Sequence, residues 1–254
     1  MDSVKDKVAL VTGGSNGIGL AIVKELLKNG IKGVSIVDIS EAPIADKRVT
    51  FIKTDVTCKK QLQAAFDKTV ETYNQLDIVV NNAGIVDEFD WKRTIDINLV
   101  AVIEGTYLAL QTYLPKYKSG AEGVVVNTAS VLGLSPAQST PIYCTAKHGL
   151  VGLGQSLGGE KMYEKYKVRV LTICPGLVDT ALTSGNKTVP SKILFPDWLA
   201  QQFALMKPLI IKPEKIGQAL IEVVKKGKTG SVWVVEGGEG LYEVVVPDRK
   251  LMKA

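Results

Sequence analysis

Short apolar runs alternate with longer amphipathic ones along the whole chain. Lys7–Thr12 (KVALVT) is almost continuously apolar and reads as a buried strand. Ile18–Asn29 (IGLAIVKELLKN) repeats its apolar positions every three or four residues and reads as a helix, with Gly30 placed to end it. Strands follow at Gly33–Asp38 and Val49–Lys53, then a helix over roughly Lys59–Tyr73 and a strand at Leu76–Val80. A long helix over Trp91–Tyr113, a strand at Gly123–Asn127, a second long helix over Ile142–Tyr166 and a strand at Val168–Ile173 come next. A helix near Pro213–Lys226 and a strand at Ser231–Val235 close the series. Strands apolar on both faces belong to a parallel sheet covered by helices on both sides. The alternation predicts an α/β fold over residues 1–254: a single Rossmann-type doubly wound domain with a mostly parallel, roughly seven-stranded sheet flanked by helices.

Asp179–Lys212 breaks this rhythm, with Pro190, Pro196 and Pro208 among several Ser and Thr. It follows a strand and so lies at the carboxyl end of the sheet, where such folds bind ligands. A loop of this length is expected to be a substrate loop or lid, and otherwise a surface insertion. Phe195, Trp198, Phe203, Leu205 and Met206 make an apolar cluster there, fit either to wall a substrate or simply to pack.

Composition narrows the chemistry. Of 254 residues, 46% are hydrophobic and 22% charged, which suits an ordered domain. The single His148 excludes a multi-histidine metal site and leaves a Ser-His-Asp triad one candidate. Cys58, Cys144 and Cys174 are far apart, without a C-x-x-C pair, so no metal site is expected. Scattered thiols suit a reducing compartment, and a cytoplasmic location is expected. No signal peptide is visible, and no apolar run approaches the roughly 20 residues of a membrane span. The net charge of +5 comes from dispersed lysines; Lys225, Lys226 and Lys228 cluster where a helix C-terminus favours cations. No nucleic-acid signature accompanies the charge, so no nucleic-acid partner is expected.

Two constellations carry candidate chemistry. After the first strand comes Thr12–Gly19 (TGGSNGIG), spaced G-x-x-x-G-x-G rather than G-x-G-x-x-G. Gly13 permits a tight turn, Gly17 a close approach of backbone to a pyrophosphate, and Gly19 close packing of helix on strand. Asp38 ends the second strand 19 residues after Gly19. A carboxylate there accepts ribose hydroxyls and repels a 2′-phosphate, so NAD is expected over NADP. The second constellation is Tyr143 and Lys147, four apart on one helix face. An ammonium favours a phenolate and so moves Tyr143 towards general acid/base work. Ser130 lies 13 residues earlier, just past the fifth strand, placed to hydrogen-bond a substrate oxygen. His148 and Cys144 point elsewhere around that helix and are expected to be structural.

Together with Asp55-Val56, Asn81–Gly84 (NNAG), Asn98 and Pro175–Thr180 (PGLVDT), these motifs make the chain similar to the short-chain dehydrogenase/reductases over essentially its whole length. The resemblance implies Tyr143 as acid/base, Lys147 lowering its pKa and binding the nicotinamide ribose, and Ser130 polarising the substrate oxygen. It implies that Asn98 keeps a proton-relay water near Lys147. For the cofactor, it assigns Gly13, Asn16, Gly17, Ile18 and Gly19 to the phosphates and Asp38 to the ribose. Asp55 and Val56 would flank the adenine. Asn82, Ala83 and Gly84 would line the path, and Pro175, Gly176, Val178 and Thr180 would hold the nicotinamide.

Trp91–Leu110 and Pro141–Gly152 look most like the 15-hydroxyprostaglandin dehydrogenase branch, and the insect-type alcohol dehydrogenases are the other branch in view. Prostaglandin enzymes carry a substrate-contacting Gln three residues before the Tyr, where this chain has Thr140. The expectation is therefore NAD-dependent oxidation of a hydrophobic alcohol, such as a retinoid, isoprenoid, steroid or fatty alcohol. A homodimer through the helices around Trp91–Tyr113 and Ile142–Tyr166 is implied by the resemblance alone. The rivals are a non-catalytic NAD-binding regulator, opposed by the intact Ser-Tyr-Lys set, and an NADP-dependent carbonyl reductase, opposed by Asp38.

Overall fold

A computed structural model describes residues 1–184, 192–198, 201, 209–247 and 250. The first strand, β1 (Val8–Thr12), is buried at every position and runs into helix α1 (Gly17–Lys28). Strands β2 (Gly33–Asp38) and β3 (Val49–Lys53), helix α2 (Lys59–Tyr73) and strand β4 (Ile78–Asn81) follow. The long helix predicted from Trp91 is continuous but not uniform. It runs through α3 (Trp91–Ile95), a π-type turn at Asp96–Val100, α4 (Ala101–Tyr107), a second π-type turn at Leu108–Tyr113 and α5 (Leu114–Tyr117). Such one-turn widenings gather at functional sites, and the first of them holds Asn98.

Strand β5 (Gly123–Thr128) leads to helix α6 (Pro141–Leu157), then α7 (Glu160–Tyr166) and strand β6 (Val168–Pro175). The expected single helix over Ile142–Tyr166 is thus two. Gly158 and Gly159 interrupt it, and Gly158 lies so close to the Gly230 turn that a Cβ would fall 2.2 Å from the Gly230 nitrogen. After α8 (Ala181–Ser184) come α9 (Pro213–Lys226), β7 (Val232–Glu236) and β8 (Gly240–Val244).

The sheet has eight strands in the order β3-β2-β1-β4-β5-β6-β7-β8, parallel except for the β7–β8 pair. The strand the pattern missed is β8. It is a short, mostly exposed edge returning through a glycine-bearing turn, so it lacks the apolar run that marks the inner strands. One face of the sheet packs against α1 and α9 through Ile22, Leu26, Ile216 and Leu220. The other face packs against α2 and the long helical run through Leu62, Phe66, Leu110 and Leu114. The chain changes direction between β1 and β4, and a crevice opens there beyond the carboxyl ends of the strands.

Candidate active site

A cleft of about 850 Å³ lies in this crevice. Nearly every residue the sequence singled out lines it: Gly13, Asn16, Gly17, Ile18, Asp38, Asp55, Val56, Asn82, Ala83, Gly84, Ser130, Tyr143, Lys147, Pro175, Gly176, Val178 and Thr180. Gly19 and Asn98 are fully buried and do not line it.

The turn after β1 is built from missing side chains. Gly13 and Gly17 have φ of +64° and +49°, a region that favours glycine. A Cβ on Gly19 would lie 2.0 Å from the Gly13 carbonyl oxygen, and one on Gly13 would lie 2.8 Å from the Ala83 Cα. Asn82 locks the turn, its Nδ2 donating to the Thr12 and Gly13 carbonyls, both at 3.2 Å. The Thr12 hydroxyl in turn accepts the N–H groups of Asn82 (3.0 Å) and Ala83 (3.2 Å). Helix α1 begins at Asn16 with no side-chain cap and no acidic residue in its first turn. Its leading N–H groups and positive dipole end therefore face the cleft without a carboxylate of the chain's own, which fits a phosphate group.

Asp38 stands at the end of β2 beside this turn. Its Oδ2 accepts the N–H of Ser15 (3.0 Å) and its Oδ1 that of Ser40 (3.1 Å). The carboxylate thus fixes the turn as well as facing the cleft. Asp55 accepts both the backbone N–H and the hydroxyl of Thr57 (2.9 and 2.7 Å), and those bonds hold its carboxyl below the usual range. Across the cleft, Thr180 closes over Gly17, whose Cβ would lie 3.3 Å from the Thr180 methyl.

Ser130, Tyr143 and Lys147 meet at the other end. Ser130 opens a short helical turn, Val131–Gly133, its Oγ accepting the N–H of Leu132 (3.1 Å), and its hydroxyl neighbours the Tyr143 phenol closely enough to favour the phenolate. That turn can lie on α6 only because Gly133 has no side chain; a Cβ there would sit 2.6 Å from the Lys147 carbonyl oxygen. Lys147 is buried, its ammonium donating to the Thr128 carbonyl (2.8 Å) and lying 5.4 Å from the Tyr143 ring centre.

Burial governs both titrations. It pushes the Tyr143 phenol up to about 12, opposed by the neighbouring Ser130 hydroxyl. It pulls Lys147 down to about 8. In the protein alone the pair is a neutral phenol beside a mostly charged ammonium at pH 7. The lowering of Tyr143 by Lys147, expected from their spacing, is not found; desolvation sets the direction of the shift.

Asn98 grips the chain after β4 by both ends of its amide. Its Oδ1 accepts the Ile85 N–H (2.8 Å) and its Nδ2 donates to the Ile85 carbonyl (2.7 Å). A Cβ on Gly84 would lie 3.2 Å from that Oδ1 and 3.7 Å from the Lys147 ammonium, so both groups border one small space.

His148 is exposed on the far side of α6, its Nδ1 2.9 Å from the Cys144 carbonyl oxygen. Cys144 is buried and its thiol bonds the backbone of Ala137. Neither lines the cleft. Phe195 and Trp198 stack on each other at 4.4 Å and are largely exposed. Phe203, Leu205 and Met206 lie outside the described residues, as does much of the expected lid. Ile85, Leu132, Leu177, Leu182 and Ile193 give the cleft an apolar lining; Leu177 lies in the Pro175–Thr180 motif and Leu182 and Ile193 in the expected lid, whereas no motif marked Ile85 or Leu132. Among the described residues no cluster could hold a metal ion.

Comparison with known proteins gives the family and the fold. The family model for short chain dehydrogenases matches residues 7–189. A 15-hydroxyprostaglandin dehydrogenase [NAD(+)] of Mus musculus is 36% identical over 252 residues, covering 94% of this chain and 93% of that protein. Alcohol dehydrogenase 1 of Ceratitis cosyra is 32% identical, covering 93% and 94%. Among solved structures, a 3-ketoacyl-(acyl-carrier-protein) reductase from Brucella melitensis, complexed with NADH, has the same fold. Its TM-score is 0.79 at 24% identity, over 93% of this chain and 99% of that one. A levodione reductase superposes with a TM-score of 0.76 at 27% identity, covering 92% and 98%.

Proposed function

The chain belongs to the short chain dehydrogenase family, and from that premise we propose that it oxidises the hydroxyl of a hydrophobic alcohol to a carbonyl, reversibly, with Tyr143 as acid/base. It is an NAD-dependent dehydrogenase acting on hydroxyl groups, as its relatives' names imply. The observation that carries the proposal is the meeting of Ser130, Tyr143 and Lys147 in the same cleft as the glycine turn.

The residues present fit NAD. Gly13 and Asn16–Gly19 would hold the pyrophosphate through backbone N–H groups, and Asp38 would accept the adenosine ribose hydroxyls. Asp55 and Val56 would flank the adenine, Asn82–Gly84 the path between. Pro175, Gly176, Val178 and Thr180 would seat the nicotinamide, with Tyr143 and Lys147 at its ribose. Bound there, NAD supplies the hydride acceptor. The protein's own part is position and proton handling. Ser130 Oγ holds the substrate oxygen beside the phenol. Tyr143 Oη gives its proton to the carbonyl oxygen during reduction; in oxidation it takes the hydroxyl proton as its own proton is passed on. Lys147 contributes positive charge in a buried setting, where it acts strongly. Asn98 and Lys147 border the space over Gly84 through which a water could pass that proton on.

The wall of Ile85, Leu132, Leu177, Leu182 and Ile193 supports an apolar substrate, with Thr140 in place of the Gln of prostaglandin enzymes. Residues 179–212 would act as the substrate loop of a single domain. Exposed Phe89, Trp91, Val100 and Tyr107, at 64%, 58%, 44% and 40% exposure along or beside the long helical run, support a homodimer there. The three free thiols suit a reducing, cytoplasmic setting; among the described residues no helix is long and apolar enough to cross a membrane.

The test is formation of NADH, followed by absorbance, with NAD or NADP against a panel of short and apolar alcohols. Turnover with NAD, reduced at least about a thousandfold by Tyr143→Phe, is expected, since removing a group that acts in concert with others collapses the chemical step. NAD binding without turnover on any alcohol, with biological activity surviving Tyr143→Phe, would establish a regulator instead.

A further inference from the structure

One buried carboxylate has no part in the chemistry above. Glu88 is only 4% exposed, sits in the segment after β4, and does not line the cleft. Its Oε2 accepts the backbone N–H of Ile142 (2.9 Å) and its Oε1 that of Tyr143 (3.0 Å). These are leading donors of α6, which the helix cannot satisfy by itself. Pro141, having no N–H, adds no further donor, and Thr140, at the N-cap, makes no side-chain cap bond to these two.

We propose that Glu88 is a positioning residue, a carboxylate that caps the catalytic helix from another part of the chain and thereby sets where the Tyr143 phenol stands against Ser130. It acts through the backbone of Tyr143 itself and touches neither substrate nor cofactor. This rests on the reading of Tyr143 as the acid/base.

The segment bearing Glu88 is held from both sides, so the cap has a fixed base. The Ile85 backbone is gripped by Asn98. The Thr94 hydroxyl donates to the Asp87 carbonyl (2.6 Å), and the Asp90 N–H donates to the Asp87 carboxylate (3.1 Å). On the other flank, the Lys192 ammonium pairs with Asp87 at 2.6 Å, and the Glu88 N–H donates to the Lys192 carbonyl (2.8 Å). Asn98 and Tyr143, which stand on different helices, are thus tied through the four loop residues from Ile85 to Glu88. A tether of this kind matters because small misplacements of a reacting group cost large factors in rate.

Glu88→Gln tests this at nearly constant shape. An amide offers one acceptor and one donor, so one of the two helix N–H groups would face an NH₂ and the first turn would have to move. The full chain is used, with Tyr143→Phe measured beside it. Expected for Glu88→Gln is a fall in kcat of roughly tenfold or more, with KM for the alcohol and Kd for NAD within about twofold of wild type, since its carbonyl side still caps and the cleft wall is untouched. Should that variant fail to fold, Glu88→Asp keeps the charge and both oxygens on a stem one methylene shorter. For it kcat is expected to fall about threefold or more, again without a matching change in KM. A folded variant with wild-type kcat, or a loss confined to KM or NAD affinity, overturns the proposal. Wild-type turnover in Tyr143→Phe would overturn the acid/base reading instead.

Discussion

The two ends of the cleft are made by opposite means. The end at Gly13–Gly19 is shaped by atoms that are absent: no Cβ fits on Gly19, and the turn is locked by backbone bonds to Asn82, Thr12 and Asp38. The end beyond Tyr143 is shaped by side chains that are present. Leu132, Leu177 with Leu182, and Ile193 come from three stretches and share only their apolar bulk. A site that works through backbone N–H groups tolerates almost no substitution, whereas an apolar wall accepts exchange of volume. One end is therefore built to bind one thing, and the other is free to be refitted.

The sharpest way to break this contrast is Gly19→Val. With the Gly13 carbonyl 2.0 Å from the first added atom, NAD affinity is expected to fall at least about a hundredfold and stability by roughly 3 kcal/mol or more, as overpacking against backbone does. Titration calorimetry and thermal unfolding read both. Preserved NAD affinity would mean that the turn is not the cofactor's seat.

Lys147→Met tests the boundary between the two ends. Burial depresses Lys147 to about 8, so between that value and the unfolded value near 10.5 the unfolded chain holds the extra proton, and stability rises with pH across that window. Below pH 8 the buried charge costs about 3 kcal/mol. Removing it should raise stability at pH 7 by about 2 kcal/mol, after allowing about 1 for the Thr128 carbonyl left without its donor. The gain should fade between pH 8 and 10.5, and turnover should be lost. Unfolding curves at pH 7 and 10.5 that gave the same gain would contradict a buried, charged Lys147.

A smaller effect is expected from Asp38→Ala. Without the carboxylate, the ratio of NAD to NADP in kcat/KM should fall about tenfold, since a charge that repels the 2′-phosphate has gone. An unchanged ratio would remove Asp38 from cofactor choice. The smallest change is at the apolar end. Leu132→Ala should alter kcat/KM between long and short alcohols by roughly three- to tenfold, the scale of one to two methylenes in a pocket, while NAD affinity holds. An equal shift in NAD affinity would show that the two ends are not separable.

The same contrast explains what could be read from the amino-acid order. The glycine turn, Asp38 and the Tyr143–Lys147 pair are local in sequence, since spacing along one turn or one helix face sets their geometry. The inner strands were legible because burial on both faces leaves continuous apolar runs such as GVVVN. Strand β8 was not, because an exposed edge needs no such run. The break between α6 and α7 was hidden in Gly158 and Gly159, whose role depends on Gly230 packing against them. Glu88 left no local trace, for its partners stand 54 and 55 residues away. Nor could spacing reveal that burial, rather than Lys147, dominates the Tyr143 phenol.

Asp38 spends one oxygen on Ser15 and the other on Ser40, and this bears on how such a protein could change its cofactor over time or in the laboratory. A lineage that exchanged Asp38 for a residue welcoming a phosphate would also unfasten the Ser15 amide and loosen the loop that must grip the rest of the molecule. The two needs sit on one side chain. A productive route to the other dinucleotide would have to begin with a replacement acceptor for Ser15, silent on its own, and only then alter Asp38.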